Sequence, residues 1–456
     1  MSILPLKSAA FPLIILLALH TLAACNNEQV ELKPDHAEAS VEASLPLVAH
    51  EIAVAEERIL SLLKDEPGQD SKFQSRTPIH SHPGRDALVR FLEQRSERSS
   101  TRAFSHDEEY EFSDEEEALI DEFLESQPEV EEAMALIVSE FDAAFENLDQ
   151  LPLEIEVTNE LGETTGVELI YPEDGYYHLG DTSISALEVL HERQIVNAAP
   201  SNGGERSLGL WRSSKRLWKN RTVRYFVDSK NAGWSASSVL RNRVKDRFYL
   251  ELNDLSQVTG INFKRYKNTW WRRFRWRTSR SYVKVEFGGY ESKCPIACAT
   301  VGRSFKGRIH YNVTHRDLKF LQSSSYSRTN PSLSHLSHEV LHTLGMKHEH
   351  QRPDRNHFVR VDLVCNNGAK NCRTVDPNTY GSPYDYNSVM HYAAELDYCK
   401  RENIIKNSSH ENRGCQFWTR NKTLYGTWLS PWDIYGVRYL YQVSNNPRPN
   451  YTPGIE

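Results

Sequence analysis

The stretch His-Glu-Val-Leu-His-Thr-Leu-Gly-Met-Lys-His-Glu-His, residues 338–350, constrains this 456-residue chain more than any other feature. His338 and His342 are four residues apart, which puts both imidazoles on one face of a helix, where they reach a common ion at about 2 Å. Glu339 lies beside them, close enough to act on a water at that ion rather than on the ion itself. Gly345 lets the helix end in a left-handed turn, and the reversed chain brings His348 round as a third nitrogen. The full H-E-x-x-H-x-x-G-x-x-H spacing points to zinc, with three protein ligands and a fourth position left open for chemistry. His335, His350, His357 and His391 are expected to stay off the metal, because a fourth imidazole would close that position.

Charge divides the chain. Residues 26–200 hold 42 acidic and 11 basic side chains, a net of −31, whereas residues 201–456 hold 20 acidic and 42 basic, a net of +22. Halves of such opposite sign attract each other or meet different partners; two independently solvated domains are the plainer reading. The densest acid lies at 107–149, where Leu119, Ile120, Phe123, Leu124, Leu136 and Ile137 recur at helical spacing, giving one apolar and one acidic face. Helical spacing also marks 51–65 and 84–98; short strands are expected over 152–200, with a last helix at 185–196. Pro, Asn, Gly and Ser at 199–207 mark a boundary. Beyond it, 221–229, 281–287 and 300–312 read as strands and 235–260 as a long helix stopped by Gly260. The segment 264–280 carries eight basic and five aromatic residues in seventeen positions. That composition suits a polyanion, lipid headgroups or a single-stranded nucleic acid, or an extended hairpin laid against the acidic half. In an exported protein an acidic partner or a cell-envelope polyanion ranks above nucleic acid, and no nucleic acid is expected.

Export is expected from the first 25 residues. Lys7 precedes an apolar run, 11–19, too short to span a bilayer comfortably, and Leu22-Ala23-Ala24-Cys25 resembles the lipobox of bacterial lipoproteins. That likeness implies a lipid on Cys25 and a membrane anchor, with Asn26 favouring the outer membrane; an ordinary secretory signal is the alternative. The other six cysteines, 294, 298, 365, 372, 399 and 415, all fall in the basic half. An even number in an exported chain suggests disulfides; proximity favours 294–298, 365–372 and 399–415, and other pairings stay open.

The zinc motif resembles that of the metzincin clan. Its continuation, residues 348–356, resembles the H-E-x-x-R-x-D-R-D of the astacin family, with Asn356 where an aspartate is usual. Residues 384–392 resemble that family's Met-turn, 429–441 its closing helix and 216–228 its opening strand. The likeness covers about 216–441. It implies an α+β fold: a metzincin-like catalytic domain with a twisted sheet, long helices, a zinc cleft and a Met-turn, preceded here by a mainly helical acidic N-terminal region. It further implies one zinc per chain on His338, His342 and His348, Glu339 as general base and proton shuttle, and Met390 as the floor under the metal. Tyr392 would be a switchable fifth ligand that stabilises the oxyanion, and Glu349 would meet the matured N-terminus. The implied activity is endoproteolysis of a protein or peptide substrate. Three departures stand out: the family's usual cysteine before the first zinc histidine is missing, 293–298 carries two cysteines where a rim strand should begin, and 264–280 has no counterpart.

Astacins also resemble one another in being made as zymogens with a pro-segment aspartate on the zinc, in the signature F-x-G-D. Residues 176–181 offer Gly180 and Asp181, with His178 in place of the Phe, although Gly-Asp is common in turns. The expected organisation is therefore a signal with lipobox (1–25), a flexible tether (26–50), an acidic pro-region (51–200), a linker open to activating cleavage (201–215), a zinc peptidase domain (216–445) and a tail (446–456). Two competitors remain. One is a catalytically silent surface-binding protein that uses 264–280; the other keeps the acidic half as a partner-binding domain.

Overall fold

The computed structural model describes residues 54, 56–61, 63–64, 82–99, 112–146, 148, 152–158, 164–179, 181–190, 216–228, 238–288, 294, 297–313, 334–360, 382–391, 399–400 and 429–450. All of them belong to one compact unit, Val48–Glu456. The export segment with Cys25, the tether, Gly180, the 201–215 linker, Tyr392 and Cys365, Cys372 and Cys415 lie outside the described residues.

Among the described residues the acidic half begins with helical positions at 54, 56–61 and 63–64, within the 51–65 stretch expected to be helical, and continues with α1 (Pro83–Ser99), α2 (Asp114–Ser126) and α3 (Pro128–Glu146). The start of α2 follows from its sequence. Ser113 accepts from the Glu116 backbone N–H while the Glu116 side chain accepts from Ser113 N, a reciprocal capping box. Four acidic residues in its first turn, Asp114 to Glu117, suit the positive end of the helix dipole. Strands β1 (Leu153–Thr158) and β2 (Thr164–Ile170) pair as a separate antiparallel ribbon.

The next two strands, β3 (Tyr176–Leu179) and β4 (Thr182–Ser185), leave the acidic half and enter the main sheet. That sheet has seven strands in the order β3-β4-β8-β9-β7-β5-β6, where β5 is Thr222–Asp228, β6 Asn262–Tyr266, β7 Val283–Gly288, β8 Ala297–Thr300 and β9 Gly307–Asn312. The run β6-β5-β7-β9 is parallel, with α4 (Ser238–Thr259) and α5 (Trp270–Thr278) as its crossovers. β8 is antiparallel to β9. The strand pair expected over 300–312 is found, but shifted: β8 begins at Ala297 and only its last residue, Thr300, falls in that range, which otherwise holds a turn and β9.

Alternation sorts the sheet's side chains onto two faces. Val223, Tyr225, Val283, Val285, Ile309 and Tyr311 pack against Phe248 and Leu252 of α4 and Val340 and Leu341 of α6 (Ser334–Thr343) in the main core. Phe226 and Tyr282 face the other way and meet Trp276 of α5. The 264–280 segment is therefore not an extended hairpin: its second part is α5, capped by Thr269 accepting from Arg272 N. The composition hid this because arginines, ordinarily solvent-facing, are buried here: Arg272, Arg275 and Arg277 lie inside with Trp271 and Phe274. Cys294 and Cys298 form a disulfide across the start of β8.

Candidate metal centre and cleft

Helix α6 carries the motif. It ends as a glycine stop should: Gly345 has φ +97°, its N–H donates to His342 O at 2.8 Å, and Met346 N donates to Leu341 O at 3.0 Å. Trp218 Nε1 donates to Thr343 O at 2.8 Å and Tyr441 OH donates to Leu344 O at 3.1 Å, so the entry to β5 and the end of α7 (Pro431–Leu440) clamp the reversal. The returning chain brings His348 Nε2 to 3.1 Å from His342 Nε2 and 3.2 Å from His338 Nε2; the first two rings are themselves 3.1 Å apart.

The opposite ring nitrogens show what this cluster is for. His338 Nδ1 faces Val389 O at 2.7 Å, His342 Nδ1 faces Met346 O at 2.8 Å and His348 Nδ1 faces Gln351 Oε1 at 3.0 Å. A carbonyl oxygen only accepts, so each Nδ1 carries a hydrogen and, in the neutral ring, each Nε2 turns a lone pair inward. Burial, and then the neighbouring His348 and His338, hold His342 well below the usual imidazole range, so its ring stays neutral. With a carboxylate beside them, these three Nε2 atoms make a site that a cation would complete. The donor set thus fits zinc: three buried imidazoles oriented from behind by carbonyl oxygens, on ligand atoms that all lie within 4.8 Å of one another.

The carboxylate belongs to Asp181. It sits on the turn between β3 and β4, with Oδ2 3.0 Å from His338 Nε2 and Oδ1 2.9 Å from His348 Nε2. Burial alone would raise its pKa, but His348 and His338 outweigh that and hold it well below the ordinary carboxylate range. Behind Asp181, β4 runs parallel to β8 in the register Thr182↔Ala299 and Ser183↔Thr300, and Ala299 N donates to Asp181 O at 2.9 Å. The free edge of β8 is thereby covered.

Glu339 is buried beside the cluster, and its Oε2 has no hydrogen-bond partner among the described residues. Burial, and then the charge of Asp181, push its carboxyl well above the usual range. Met390 is buried in the turn that follows Ser388; Glu349 N donates to its carbonyl at 3.0 Å. Glu349 itself accepts from Arg352 Nη1 at 2.9 Å and Asp385 N at 2.7 Å, and burial raises it to about 7 despite Arg352. His350 stacks on His348 with ring centroids 4.8 Å apart, and His391 Nε2 pairs with Tyr384 OH at 2.7 Å; neither joins the cluster.

Sequence reasoning missed the supports. Asp433, in the first turn of α7, accepts from Ser388 Oγ at 2.6 Å and Val389 N at 2.9 Å, and Val389 O is the acceptor that orients His338. The signal was present: Ser430 and Asp433 form a capping box at the start of α7.

With the geometry in place, comparison with known proteins gives one consistent relationship. Residues 320–414 match the family model for the astacin peptidases. The match supports the astacin zinc metalloprotease family. Similar relatives include the low choriolytic enzyme of Oryzias latipes, 41% identical over 59 residues (12% of this chain, 22% of that protein). Meprin A subunit alpha of Mus musculus is 39% identical over 74 residues (15% and 10%). Zinc metalloproteinase nas-5 of Caenorhabditis elegans is 43% identical over 60 residues (12% and 17%). The chain spans less than a quarter of the length of these relatives. A solved structure of high choriolytic enzyme 1, a hatching enzyme zinc-protease from Oryzias latipes, aligns at TM-score 0.33 and 20% identity over 50% of this chain and 96% of that one. The astacin family is zinc-dependent and its metalloproteases are endopeptidases, and the cluster of His338, His342 and His348 is where this chain can hold the ion.

Proposed function

We propose that this chain is an astacin-type zinc endopeptidase made in a latent form. One observation carries the reading: the Asp181 carboxylate lies 2.9–3.0 Å from two of the three candidate ligand nitrogens, where a fourth ligand of the ion would sit. Zinc, when bound there, supplies Lewis acidity, polarising a carbonyl and making water a better nucleophile at neutral pH. The chain's own part is as follows. His338, His342 and His348 hold the ion, oriented by Val389, Met346 and Gln351. Glu339 Oε2, without a partner and beside the cluster, takes the proton of the attacking water and returns it to the leaving amine. Met390 is assigned the floor under the ligands and Tyr392 the oxyanion, both by resemblance. The uncovered edge of β8 would take an extended substrate backbone by strand addition; β4 and Asp181 deny substrate both that edge and the ion.

Activation then requires the acidic region to leave after a cut within 199–215. If Cys25 is lipidated in an exported chain, the same cut frees the catalytic half from its membrane. The competing silent binding protein gains no support, since the motif is complete and the cations of 264–280 are engaged within the chain. The test is Asp181→Asn in the uncut chain, with zinc counted. Retained zinc and a rise of about tenfold or more in cleavage of a neutral peptide are expected, a change of about 1.4 kcal/mol. An uncut Asp181→Asn chain as silent as the parent, with zinc bound, removes the latency assignment.

A further inference from the structure

The basic-aromatic segment 264–280 is engaged within the chain, and most of its acidic partners share one origin. Lys264 pairs with Asp114, Lys267 with Glu125 at 2.6 Å, and Arg272 with Asp121 through two bonds of 2.5 and 2.9 Å. Arg277 Nε donates to Asp142 at 2.7 Å and Arg280 Nε to Glu188 at 3.0 Å. Five of the eight cations thus bind carboxylates of the acidic half, across the stretch where activation would cut. Three of those five meet a single stripe. Asp114, Glu117, Asp121 and Glu125 recur every three or four residues, so they share one face of α2, and Glu117 adds contacts to Arg272 and Tyr282. An apolar anchor completes the fit: Trp271 meets Phe91 and Phe112 edge-on, both at 5.6 Å, and Arg275 lies over both rings.

We propose that α5 and its flanks form a masked exosite, which in the cut enzyme binds an acidic segment of the protein substrate, with α2 as its built-in mimic. The proposal rests on the release reading above. Charge complementarity commits the occupant to an acidic protein segment: the cations are spaced to meet carboxylates on one helical face, and an aromatic pocket between them gives a bare polyanion nothing to fill. The exosite lies on the sheet face opposite the main core, away from the zinc cluster, so it would lower KM for acidic substrates while leaving kcat for short neutral ones unchanged.

The test uses the full chain cut within 199–215 and freed of its N-terminal piece at high salt, with a labelled peptide of residues 110–127 as probe. Binding to the cut chain and none to the uncut chain is expected. It should weaken steeply with added salt, as contacts between charges do, and several-fold with Lys267→Glu, a side chain 72% exposed in the uncut chain and far from the chemistry. A peptide carrying Glu125→Lys should recover binding to Lys267→Glu, which a merely damaged surface would not allow. A neutral peptide substrate extended by the acidic sequence should show a several-fold lower KM than the neutral peptide alone. Any of three results overturns the exosite: an N-terminal piece that stays docked after cutting, equal binding of a scrambled peptide of the same composition, or capture of a sulfated polysaccharide in place of the peptide. Cleavage of the neutral peptide reports on the peptidase reading alone and peptide binding on the exosite alone, so either can fail without the other.

Discussion

Asp181 and Glu188 are seven residues apart in the acidic half, and both turn a carboxylate into the basic half, yet their surroundings make them opposites. Glu188 is fully buried between two permanent cations: Arg280 donates to it, Arg216 lies at 3.4 Å, and Ser304 Oγ and Phe305 N complete its bonds. Burial would raise its pKa, but Arg280 and then Arg216 hold it at about 2. Asp181 instead faces three imidazoles whose inner nitrogens are the candidate ligands of an ion. Glu188 has no substitute in water, so it anchors; Asp181 occupies a place that water or substrate can take over, so it blocks. A latent enzyme needs both, a strong fixed contact to hold the segment in register and an exchangeable one in the cleft.

The comparison can be broken at either carboxylate. The largest effect belongs to the chemistry Asp181 shields: Glu339→Gln in the cut chain should lower peptide cleavage about 10²–10⁴-fold with zinc retained, and a cut variant that still works at near-parental rate would remove Glu339 as the base. Next comes the anchor. Glu188→Ala leaves Arg280 and Arg216 buried without their carboxylate, which should cost about 3–5 kcal/mol in denaturant unfolding of the uncut chain; a loss no larger than that of an ordinary surface variant would show that Glu188 anchors nothing. The same group sets a pH signature. Its folded pKa of about 2 lies below the ordinary 4.5, so its stabilisation, about 3 kcal/mol, is complete above pH 4.5 and fades as pH falls toward 2. Glu188→Gln should flatten that part of the stability–pH curve, and an equally steep fall in the variant would assign the acid sensitivity elsewhere. The smallest effect is at the rim: Lys267→Glu should leave the unfolding midpoint of the uncut chain almost where it was, since both partners are solvent-exposed.

What the sequence disclosed and what it hid follow from distance along the chain. The ligands His338, His342 and His348, the Gly345 turn and Glu339 lie within eleven residues, where helical spacing and one left-handed glycine decide the geometry. Other elements were equally local: the strands β5 and β7 and the Gly260 stop at the end of α4. Hidden were the contacts that only a folded chain makes. Nothing in residues 182–185 says that they pair parallel with 299–300, or that Glu188 finds Arg280. The helix α5 was misread because arginines, ordinarily solvent-facing, hold buried positions beside its aromatic rings: Arg272, Arg275 and Arg277. Opposite charges of the two halves left their attraction as one of two readings, and nothing in them showed that a stripe on α2 would meet Lys264 of β6, Lys267 and Arg272 of α5.

The most direct test of the central claim is the rate at which wild-type chain cleaves a short neutral peptide, measured with one zinc bound before and after a cut within 199–215. A rate near zero before the cut and a strong rise after it is the result expected of Asp181 held in the cleft by Glu188. Equal rates before and after would contradict it, leaving the acidic half as something other than the enzyme's own block.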